Sequence, residues 1–521
     1  MSQVCAVHPG APLDLERGHV LARGLYRLEL GLDRLFGAEA NPSRQLGALA
    51  MWSFWLSVAS GAYAYIGFET SAEGAWRSVH ALQEHPVEGI VRSLHRYASF
   101  ALIALTLLHL AVEWIKGRYR DFRWFSWVTG IVPLPLAVAC GMVGYWLIAD
   151  TRSQYVAAGI GEWIGALPGV GAGLMRNFIT DEAISDRLLS LIIFLHIGLS
   201  LLLLLSVWVH LARLVRPRTW PARRTAAAFG AALLVLCVLS PALSTARADF
   251  ARVPDPVPID WLIYGVLPLV QVTTPLFTWA AVVAAVLVLG TLPWMPERRP
   301  AVLPAIVDPQ NCNGCRRCFD DCPYGAIAMA PHPRRRNRQI AVVAADQCAA
   351  CGICVGACPS SSPFRSVSEL VTGIDLPQRP LDAIRERLAG ALAKAGARGA
   401  RPIVVIGCDH GARVEELAPV PVESVVALSL PCSAALPPAF AEFAQRAGAA
   451  HVLVADCGPD ACAYRFGAAF TRERLQGLRE PHLRAVARAD VSCIAAPAGA
   501  EDDLLSMIAK LQGQPSEASH A

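Results

Sequence analysis

Four histidines lie in two strongly apolar segments at one repeated spacing. His95 and His109 are fourteen residues apart in RSLHRYASFALIALTLLHL, and His196 and His210 are fourteen apart in LIIFLHIGLSLLLLLSVWVHL. In a helix this spacing is close to four turns, so both imidazoles share one face, about 21 Å apart along the axis. Two such helices side by side would form two His–His pairs, which is the geometry of two stacked bis-imidazole haems.

A histidine inside a membrane can also serve only as a hydrogen-bonding residue between helices. That explanation would suffice for one histidine, but polar residues at this depth are costly and usually functional, so four at one interval favour haem ligation. A missing side chain would let a flat macrocycle approach the backbone, although small residues also serve plain helix packing. Glycines recur at the same interval of fourteen in two further apolar segments: Gly47 and Gly61, then Gly130 and Gly144.

Eight cysteines form two closely spaced runs, NCNGCRRCFDDCPYG and QCAACGICVGACPSS. In this spacing three cysteines of one run bind one [4Fe–4S] cluster and the fourth binds the other cluster. A structural zinc site would need four ligands at one centre rather than two interleaved sets. The predicted sets are Cys312, Cys315 and Cys318 with Cys358, and Cys348, Cys351 and Cys354 with Cys322.

A third group of cysteines follows apolar segments near the C-terminus. RPIVVIGC, SVVALSLPC, HVLVADC and DVSCIAAP are typical of buried parallel strands separated by helices. Cys408, Cys432 and Cys457 fall at or just past strand ends, the edge where open α/β sheets bind ligands, and Cys462 follows in CGPDAC. Buried free cysteines are common in such cores. Four convergent thiols favour one [2Fe–2S] cluster instead.

The elements that carry the histidines are predicted to cross a membrane. Over half of the 521 residues are hydrophobic, and the apolar excess lies between residues 47 and 294. Segments of about 20 apolar residues can cross a bilayer core of about 30 Å. The net charge of +4 is small and the basic residues flank the apolar segments, which disfavours nucleic-acid binding. Six spans are predicted, near 46–67, 96–115, 127–148, 188–211, 225–243 and 276–294.

Basic residues concentrate in alternate links between these spans. One set comprises the N-terminal arginines, residues 116–123, residues 213–224 and Arg298 with Arg299, whereas the opposite, longer set holds few. The positive-inside rule therefore places both termini in the cytoplasm. The first 45 residues show no apolar core of a signal peptide. The cysteines would then lie in a reducing compartment, where metal ligation is expected rather than disulfides.

The chain is therefore predicted to be a multi-domain protein. A transmembrane all-α bundle of six helices is followed by an α+β ferredoxin-like cluster domain and then by an α/β parallel-sheet domain. The predicted parts are a surface helix in 1–45, a four-helix di-haem core in 46–215, two further transmembrane helices with their loop in 216–300, the two-cluster domain in 301–366, a linker in 367–400 and the α/β iron–sulfur domain in 401–521.

The histidine region resembles the cytochrome b subunit of quinol-oxidising complexes over about residues 25–295. The resemblance rests on VRSLHRYAS, on GYW at 144–146 and on EWIGALPGVG at 162–171. It implies two b haems, a homodimer, and Arg92 as a haem-propionate partner. It also implies that His95 and His196 hold the haem on the outer side, and that His109 and His210 hold the inner one.

The segment RVPDPVPIDWLIYGVLPLV resembles the loop that carries a Pro-Glu-Trp-Tyr signature in this family. The match is Pro258, Asp260 and Trp261, with one extra residue after the proline and no tyrosine directly following. Asp260 could accept a proton from quinol. An equally weighted alternative is a carboxylate that lies beside an amphipathic surface helix.

The segment LPCSAALPPAFAEFAQRAGAAHVLVADCGPDACAYRFG resembles the delta subunit of methyl-viologen-reducing hydrogenases, an iron–sulfur electron adaptor. This resemblance implies a cytoplasmic flavoprotein, hydrogenase or heterodisulfide-reductase-like partner. We therefore expect an oxidoreductase of the bacterial inner membrane that links such a partner to the quinone pool, with the direction of electron flow open. The alternative is a membrane anchor and relay subunit with no quinone site of its own. A redox sensor is disfavoured because it has no need of so many centres.

Overall fold

The computed structural model describes residues 20–37, 39–71, 73–167, 186–249, 252, 256–296, 303–365, 370–416, 424–458 and 461–513. Three parts of the sequence lie outside these residues: the end of EWIGALPGVG, Arg176 in the link after the third predicted span, and residues 1–19 of the predicted N-terminal surface helix. The chain divides into two compact units. One is built on Arg27–Ala212 and Arg216–Pro296 and carries the four histidines, and the other is built on Glu297–Ala521 and carries the three cysteine groups.

The histidine unit is helical, and its apolar residues account for most of these helices. The helices are α1 (Val20–Phe36), α2 (Leu46–Ile66), α3 (Gly74–Ala81), α4 (Pro86–Ile115), α5 (Trp124–Ile131), α6 (Pro133–Trp146), α7 (Thr151–Gly165), α8 (Asp186–Leu211), α9 (Arg223–Leu239), α10 (Trp261–Tyr264), α11 (Leu267–Val272) and α12 (Pro275–Thr291). Proline stands at the start of α4, α6 and α12, where its missing N–H would be unpaired in any case.

Four of the six predicted spans match helical segments of the described chain that are long and apolar enough to cross a membrane. These segments are Pro86–Ile115, which is α4, Asp121–Trp146, which contains α5 and α6, Asp186–Leu211, which is α8, and Pro275–Trp294, which contains α12. Helix α2 has 21 residues, but its Trp, Ser and Tyr side chains lower its mean hydropathy. Helix α9 has 17 residues, fewer than the roughly 20 that a bilayer core requires. The count of six is therefore not confirmed.

Helix α4 packs along α2, and α6 packs along α8, so each histidine helix has a glycine-bearing neighbour. A shared core joins these pairs, and it includes Phe54, Ile103, Met142, Leu203 and Tyr264. The fully buried Tyr264 hydroxyl donates to the Met142 carbonyl at 2.9 Å, which fixes the short helix α10 against α6. The loop that contains Asp260 is thereby anchored to the bundle.

The cysteine unit begins with short strands around the two cysteine runs. Strands β1 (Ile306–Val307) and β4 (Ile374–Asp375) pair antiparallel, as do β2 (Ile327–Pro331) and β3 (Gln339–Val343). Two one-turn helices, α13 (Arg317–Asp320) and α14 (Ile353–Ala357), each carry one cysteine of a run. Gly314 has φ +70° and a Cβ there would collide with the Gln339 carbonyl, so only glycine suits this turn between two cysteines.

A four-stranded parallel sheet forms the remainder, in the order β6-β5-β7-β8. Every residue of β5 is buried, as expected for a central strand covered on both faces. The strands and helices are β5 (Ile403–Cys408), β6 (Val425–Leu430), β7 (His451–Asp456), β8 (Val491–Ala495), α15 (Leu381–Ala397), α16 (Ala439–Arg446), α17 (Gly467–Gln476) and α18 (Glu501–Leu511).

The predicted linker 367–400 is not a plain linker in the structure. It contains β4 and the 17-residue helix α15, in which Leu388 and Leu392 are buried one turn apart. The composition rich in Ala and Arg suggested a linker, but both are strong helix formers. Together with the buried leucines they produce a helix that packs on the sheet.

Candidate metal centres

Each of the four histidine rings lies against one of the four predicted glycines. A Cβ atom at Gly144 would lie 2.6 Å from Cε1 of His196, closer than real Cβ contacts, so any side chain there would displace the ring. Contact at Gly47 is looser, since a Cβ would lie 3.6 Å from the ring of His109. The glycines therefore make room for imidazoles in the pairs Gly61–His95, Gly47–His109, Gly144–His196 and Gly130–His210.

The two predicted outer histidines face each other across the bundle. The ring centroids of His95 and His196 are 6.1 Å apart. An iron between two imidazoles, with metal–nitrogen bonds of about 2.0 Å, sets the centroids about 6 Å apart. His109 and His210 lie fourteen residues further along the same two helices. The arrangement of the first pair thus fits a bis-imidazole haem.

Backbone carbonyls determine which ring nitrogen is free. Nδ1 of His95 lies 2.8 Å from the Ser57 carbonyl, and Nδ1 of His196 lies 3.0 Å from the Cys140 carbonyl. Because a carbonyl only accepts, each Nδ1 carries the proton and donates it, which leaves Nε2 with a lone pair for a metal. No sequence motif could reveal these acceptors, since any residue type supplies a carbonyl.

Arg92, the predicted propionate partner, lies on the histidine helix α4. Its guanidinium donates to Gln83 Oε1 at 2.8 Å and to Ser244 Oγ at 2.8 Å. These bonds hold the cation at the end of the bundle near His95. The role of Arg92 as a partner of a haem propionate stays a prediction.

Asp260 lies at the start of α10, with its side chain 19% exposed. Nη2 of Arg96 donates to both carboxylate oxygens at 3.0 Å, and the Tyr145 hydroxyl donates to Oδ2. Arg152 in turn donates to the Tyr145 hydroxyl at 3.4 Å. No sequence pattern predicted Arg96 or Tyr145 as partners of Asp260, although Arg96 follows His95 directly and Tyr145 belongs to the GYW motif.

The structure brings the first predicted cysteine set together. Burial and the nearby charges of Cys358, Cys315 and Cys312 raise the pKa of the Cys318 thiol to about 12. The four cysteines line one cavity, together with Met329 and Ile374. Cysteine thiols bind iron with release of their protons, as cluster ligands do.

The second predicted set also converges, including the fourth cysteine from the other run. Burial, followed by the charges of Cys351, Cys348 and Cys322, raises the pKa of the Cys354 thiol. Backbone N–H groups point at two of the sulfur atoms: Ala305 N lies 3.4 Å from Cys348 Sγ, and Ala326 N lies 3.3 Å from Cys322 Sγ. Such bonds to sulfur are one of the ways in which a protein sets a cluster potential.

The four C-terminal cysteines lie within one hydrogen-bonded group. Cys457 interacts with Cys408 and Cys462, and Cys462 also interacts with Cys432. Hydrogen bonds from Cys432 and Cys457 lower the pKa of the Cys462 thiol to about 3. Cys408 ends β5, while Cys432 and Cys457 follow β6 and β7, so adjacent parallel strands deliver three thiols to one edge. Among the described residues no group of His, Cys, Asp or Glu is arranged around a single metal ion.

Comparison with known proteins confirms the three predicted resemblances. Residues 100–244 match the family model for cytochrome b(N-terminal)/b6/petB, and residues 311–362 match that for a 4Fe-4S dicluster domain. Residues 419–497 match the model for the methyl-viologen-reducing hydrogenase, delta subunit. The first match begins after His95, and the third begins after Cys408.

Individual relatives match the histidine region. Cytochrome b6 of Heliobacterium mobile is 26% identical over 153 residues, which are 29% of this chain and 72% of that protein. Cytochrome b of Sulfolobus acidocaldarius is 26% identical over 165 residues, which are 29% of either chain. A solved hyperthermophilic respiratory Complex III has 18% identity and a TM-score of 0.41, covering 54% of this chain and 82% of that chain.

The three matched regions together indicate the general function of the chain. A cytochrome b region implies haem b, and a dicluster region implies iron–sulfur clusters. The chain is therefore a membrane electron-transfer protein and an oxidoreductase component.

Proposed function

We propose that the chain is a quinone-linked oxidoreductase that passes electrons between a cytoplasmic redox partner and the membrane quinone pool. Haems and iron–sulfur clusters supply one-electron transfer when bound. The observation that carries the proposal is the Asp260 carboxylate, held by Arg96 one residue from the haem-ligand candidate His95. Quinol oxidation requires a proton acceptor and an electron acceptor, and Asp260 is fastened by this ion pair to the helix that carries His95.

The haem ligands in this proposal are His95 with His196 on the outer side and His109 with His210 on the inner side. Protonated Nδ1 atoms on His95 and His196 leave Nε2 available to iron. Arg92 would hold a propionate at the end of the same helix.

The clusters in this proposal are two [4Fe–4S] groups and one [2Fe–2S] group. Their ligands are Cys312, Cys315, Cys318 and Cys358, then Cys322, Cys348, Cys351 and Cys354, and then Cys408, Cys432, Cys457 and Cys462. The mutual proximity of the thiols within each set supports this assignment.

At the quinol site, Arg96 and Tyr145 would hold the Asp260 carboxylate in one orientation. Arg96 donates hydrogen bonds to both of its oxygens, and the Tyr145 hydroxyl donates to one of them. An oriented carboxylate accepts a proton more readily than a mobile one, because its geometry toward the donor is already set.

The remaining parts of the proposal concern the membrane and the partners. Six spans in a bacterial inner membrane, with both termini in the cytoplasm, would leave the cysteine unit accessible to a flavoprotein, a hydrogenase or a heterodisulfide-reductase-like enzyme. A homodimer is part of the same proposal. The proposal holds for either direction of electron flow.

An anaerobic titration with a quinol analogue tests this function, with the haem α-band and cluster EPR signals followed in the purified chain. We expect haem reduction in the wild type and a rate at least about 100-fold lower in Asp260→Asn, the effect of losing a general base. Asp249→Asn is the matched control, because Asp249 is an exposed carboxylate of the same segment and forms an ion pair with Arg252. If neither quinol nor quinone changes any centre, quinone linkage is wrong.

A membrane anchor and relay subunit is the second candidate. It is favoured by the ion pair itself, because both oxygens of Asp260 already accept from Arg96. In that case Asp260 fastens α10 to α4, and Asp260→Asn would lower the thermal stability of the bundle without a specific effect on quinol.

A further inference from the structure

A fully buried arginine lies in the interior of the cysteine unit. The Arg474 side chain on α17 is 1% exposed. Its Nη2 donates to Asp321 Oδ2 at 2.6 Å and its Nη1 donates to the Ala434 carbonyl at 3.0 Å. Its Nε–H has no hydrogen-bond partner among the described residues. Buried ion pairs of this kind contribute little net stability, because desolvation offsets the attraction. We therefore expect the buried charge of Arg474 to have a role other than stabilising the fold.

The guanidinium touches three segments that carry cysteines. Asp321 directly precedes Cys322, and Ala434 follows Cys432 by two residues. A Cβ at Gly356, in the helix α14 that carries Cys354, would lie 2.9 Å from Nη1 of Arg474. Two of these segments belong to the second [4Fe–4S] set and the third belongs to the C-terminal set. Arg474 therefore lies at the junction of two proposed cluster sites.

The two sites are packed directly against each other. A Cβ at Gly352 would lie 2.6 Å from Cβ of Ala435, and one at Gly356 would collide with the Ala434 carbonyl. The segment after Cys432 thus rests on the backbone of α14, with no side chain between them. The first [4Fe–4S] set differs, since its Cys315 is exposed. The second set is the neighbour of the C-terminal site.

We propose that Arg474 sets the reduction potentials of the clusters on both sides of it. The inference rests on the proposed cluster assignment. Reduction of a cluster adds one electron and hence one negative charge, and a fixed cation nearby stabilises that reduced form. The effect is larger in a buried site than in water, because the dielectric constant is lower. The Nε–H of Arg474, which has no hydrogen-bond partner among the described residues, is a further donor of this cation.

Three variants of the full-length protein separate charge from structure. Arg474→Met removes the cation and keeps an unbranched side chain, and Arg474→Lys keeps the cation. Arg479→Met is the matched control, because Arg479 binds the same Asp321 at 2.6 Å but is 25% exposed and also pairs with Glu473. Midpoint potentials come from redox titration followed by EPR, with iron and sulfide content as the measure of occupancy. Cys315→Ser and Cys351→Ser assign the signals.

In Arg474→Met we expect the reduction equilibrium to shift at least tenfold toward the oxidised form at the second [4Fe–4S] centre and at the C-terminal centre. A tenfold change is 59 mV for a one-electron couple. The first [4Fe–4S] centre should shift less than threefold. Arg474→Lys should restore most of the shift, and Arg479→Met should give a smaller shift than Arg474→Met.

Equal potentials in wild type and a fully loaded Arg474→Met protein would overturn the inference, as would an equal shift at all centres. If Arg474→Met fails to load clusters, Asp321→Asn decides the matter. It removes the anion that offsets Arg474, so it should shift the same two centres in the opposite direction, and an unchanged potential there would also refute the inference. None of these measurements uses haem or quinol. A failure of the inference about Arg474 can therefore be distinguished from a failure of the proposed function, which the quinol titration tests.

Discussion

The histidine helices and the C-terminal sheet each gather four identical side chains, but by different means. In the helices, His95 and His109 share a face because their separation in sequence is close to a whole number of turns. In the sheet, Cys408, Cys432 and Cys457 are neighbours because β5 lies between β6 and β7 and all three strands run parallel. The first arrangement depends on local spacing, and the second depends on strand order.

This difference determines what each site tolerates. A ligand on a helix stays in place as long as the opposite helix leaves room for its ring, which four glycines do. A ligand at a strand end stays in place as long as the sheet keeps its order, and Cys408 and Cys432 are buried there. Helical ligands should therefore respond to changes in opposing small residues, and strand-end ligands should respond also to loss of a neighbouring thiol.

Loss of a helical ligand should have the largest effect. In His109→Ala the inner haem would lose one axial ligand, and we expect haem content to fall from two to one per chain in pyridine haemochrome spectra. His85→Ala is the control, because His85 is an exposed histidine directly before the same helix. Retention of both haems by His109→Ala would show that the ligand assignment is wrong.

Loss of a strand-edge ligand should remove one cluster and leave the others. Cys462 accepts hydrogen bonds from Cys432 and Cys457, so it lies at the centre of its group. In Cys462→Ser we expect about two irons fewer per chain, the content of one [2Fe–2S] cluster, with unchanged [4Fe–4S] EPR signals. Cys493→Ser is the control, since Cys493 is exposed and belongs to no set. Equal iron content in the two variants would contradict a C-terminal cluster.

The same difference explains how much the sequence could predict. Histidine spacing and the two cysteine runs are local patterns, so the candidate ligands could be named directly from them. The partners of Asp260 could not, because Arg96 and Tyr145 lie on α4 and α6, far from Asp260 along the chain. Arg474 was missed for the same reason, since its contact with Asp321 joins residues 153 positions apart.

Two parts of the predicted fold were harder to obtain from composition. The predicted linker contains α15, because buried Leu388 and Leu392 lie in a segment that composition describes only as rich in Ala, Arg and Gly. Four of the six predicted spans meet the length and hydropathy expected of a membrane span, because α2 carries Trp, Ser and Tyr side chains and α9 has only 17 residues. Helix α2 buries Ser53, Ser57 and Ser60 against its neighbours, a feature that a hydropathy profile counts against it.

The smallest effects should come from the glycines, and they should be graded by distance. Gly144→Ala would place a Cβ 2.6 Å from the His196 ring, whereas Gly47→Ala would place one 3.6 Å from the His109 ring. Forcing a methyl group into a filled space costs about 1–3 kcal/mol, so Gly144→Ala should weaken retention of the outer haem and Gly47→Ala should not weaken the inner one.

Thermal loss of the haem α-band measures this difference, with the two haems distinguished by their redox titrations. Gly198→Ala is the control on α8 itself, because a Cβ there meets nothing within 4 Å. Equal destabilisation by Gly144→Ala and Gly47→Ala would mean that the glycines serve general helix packing rather than the imidazoles. A graded response would show instead that the position of each ligand on a helix is set by the residue opposite it.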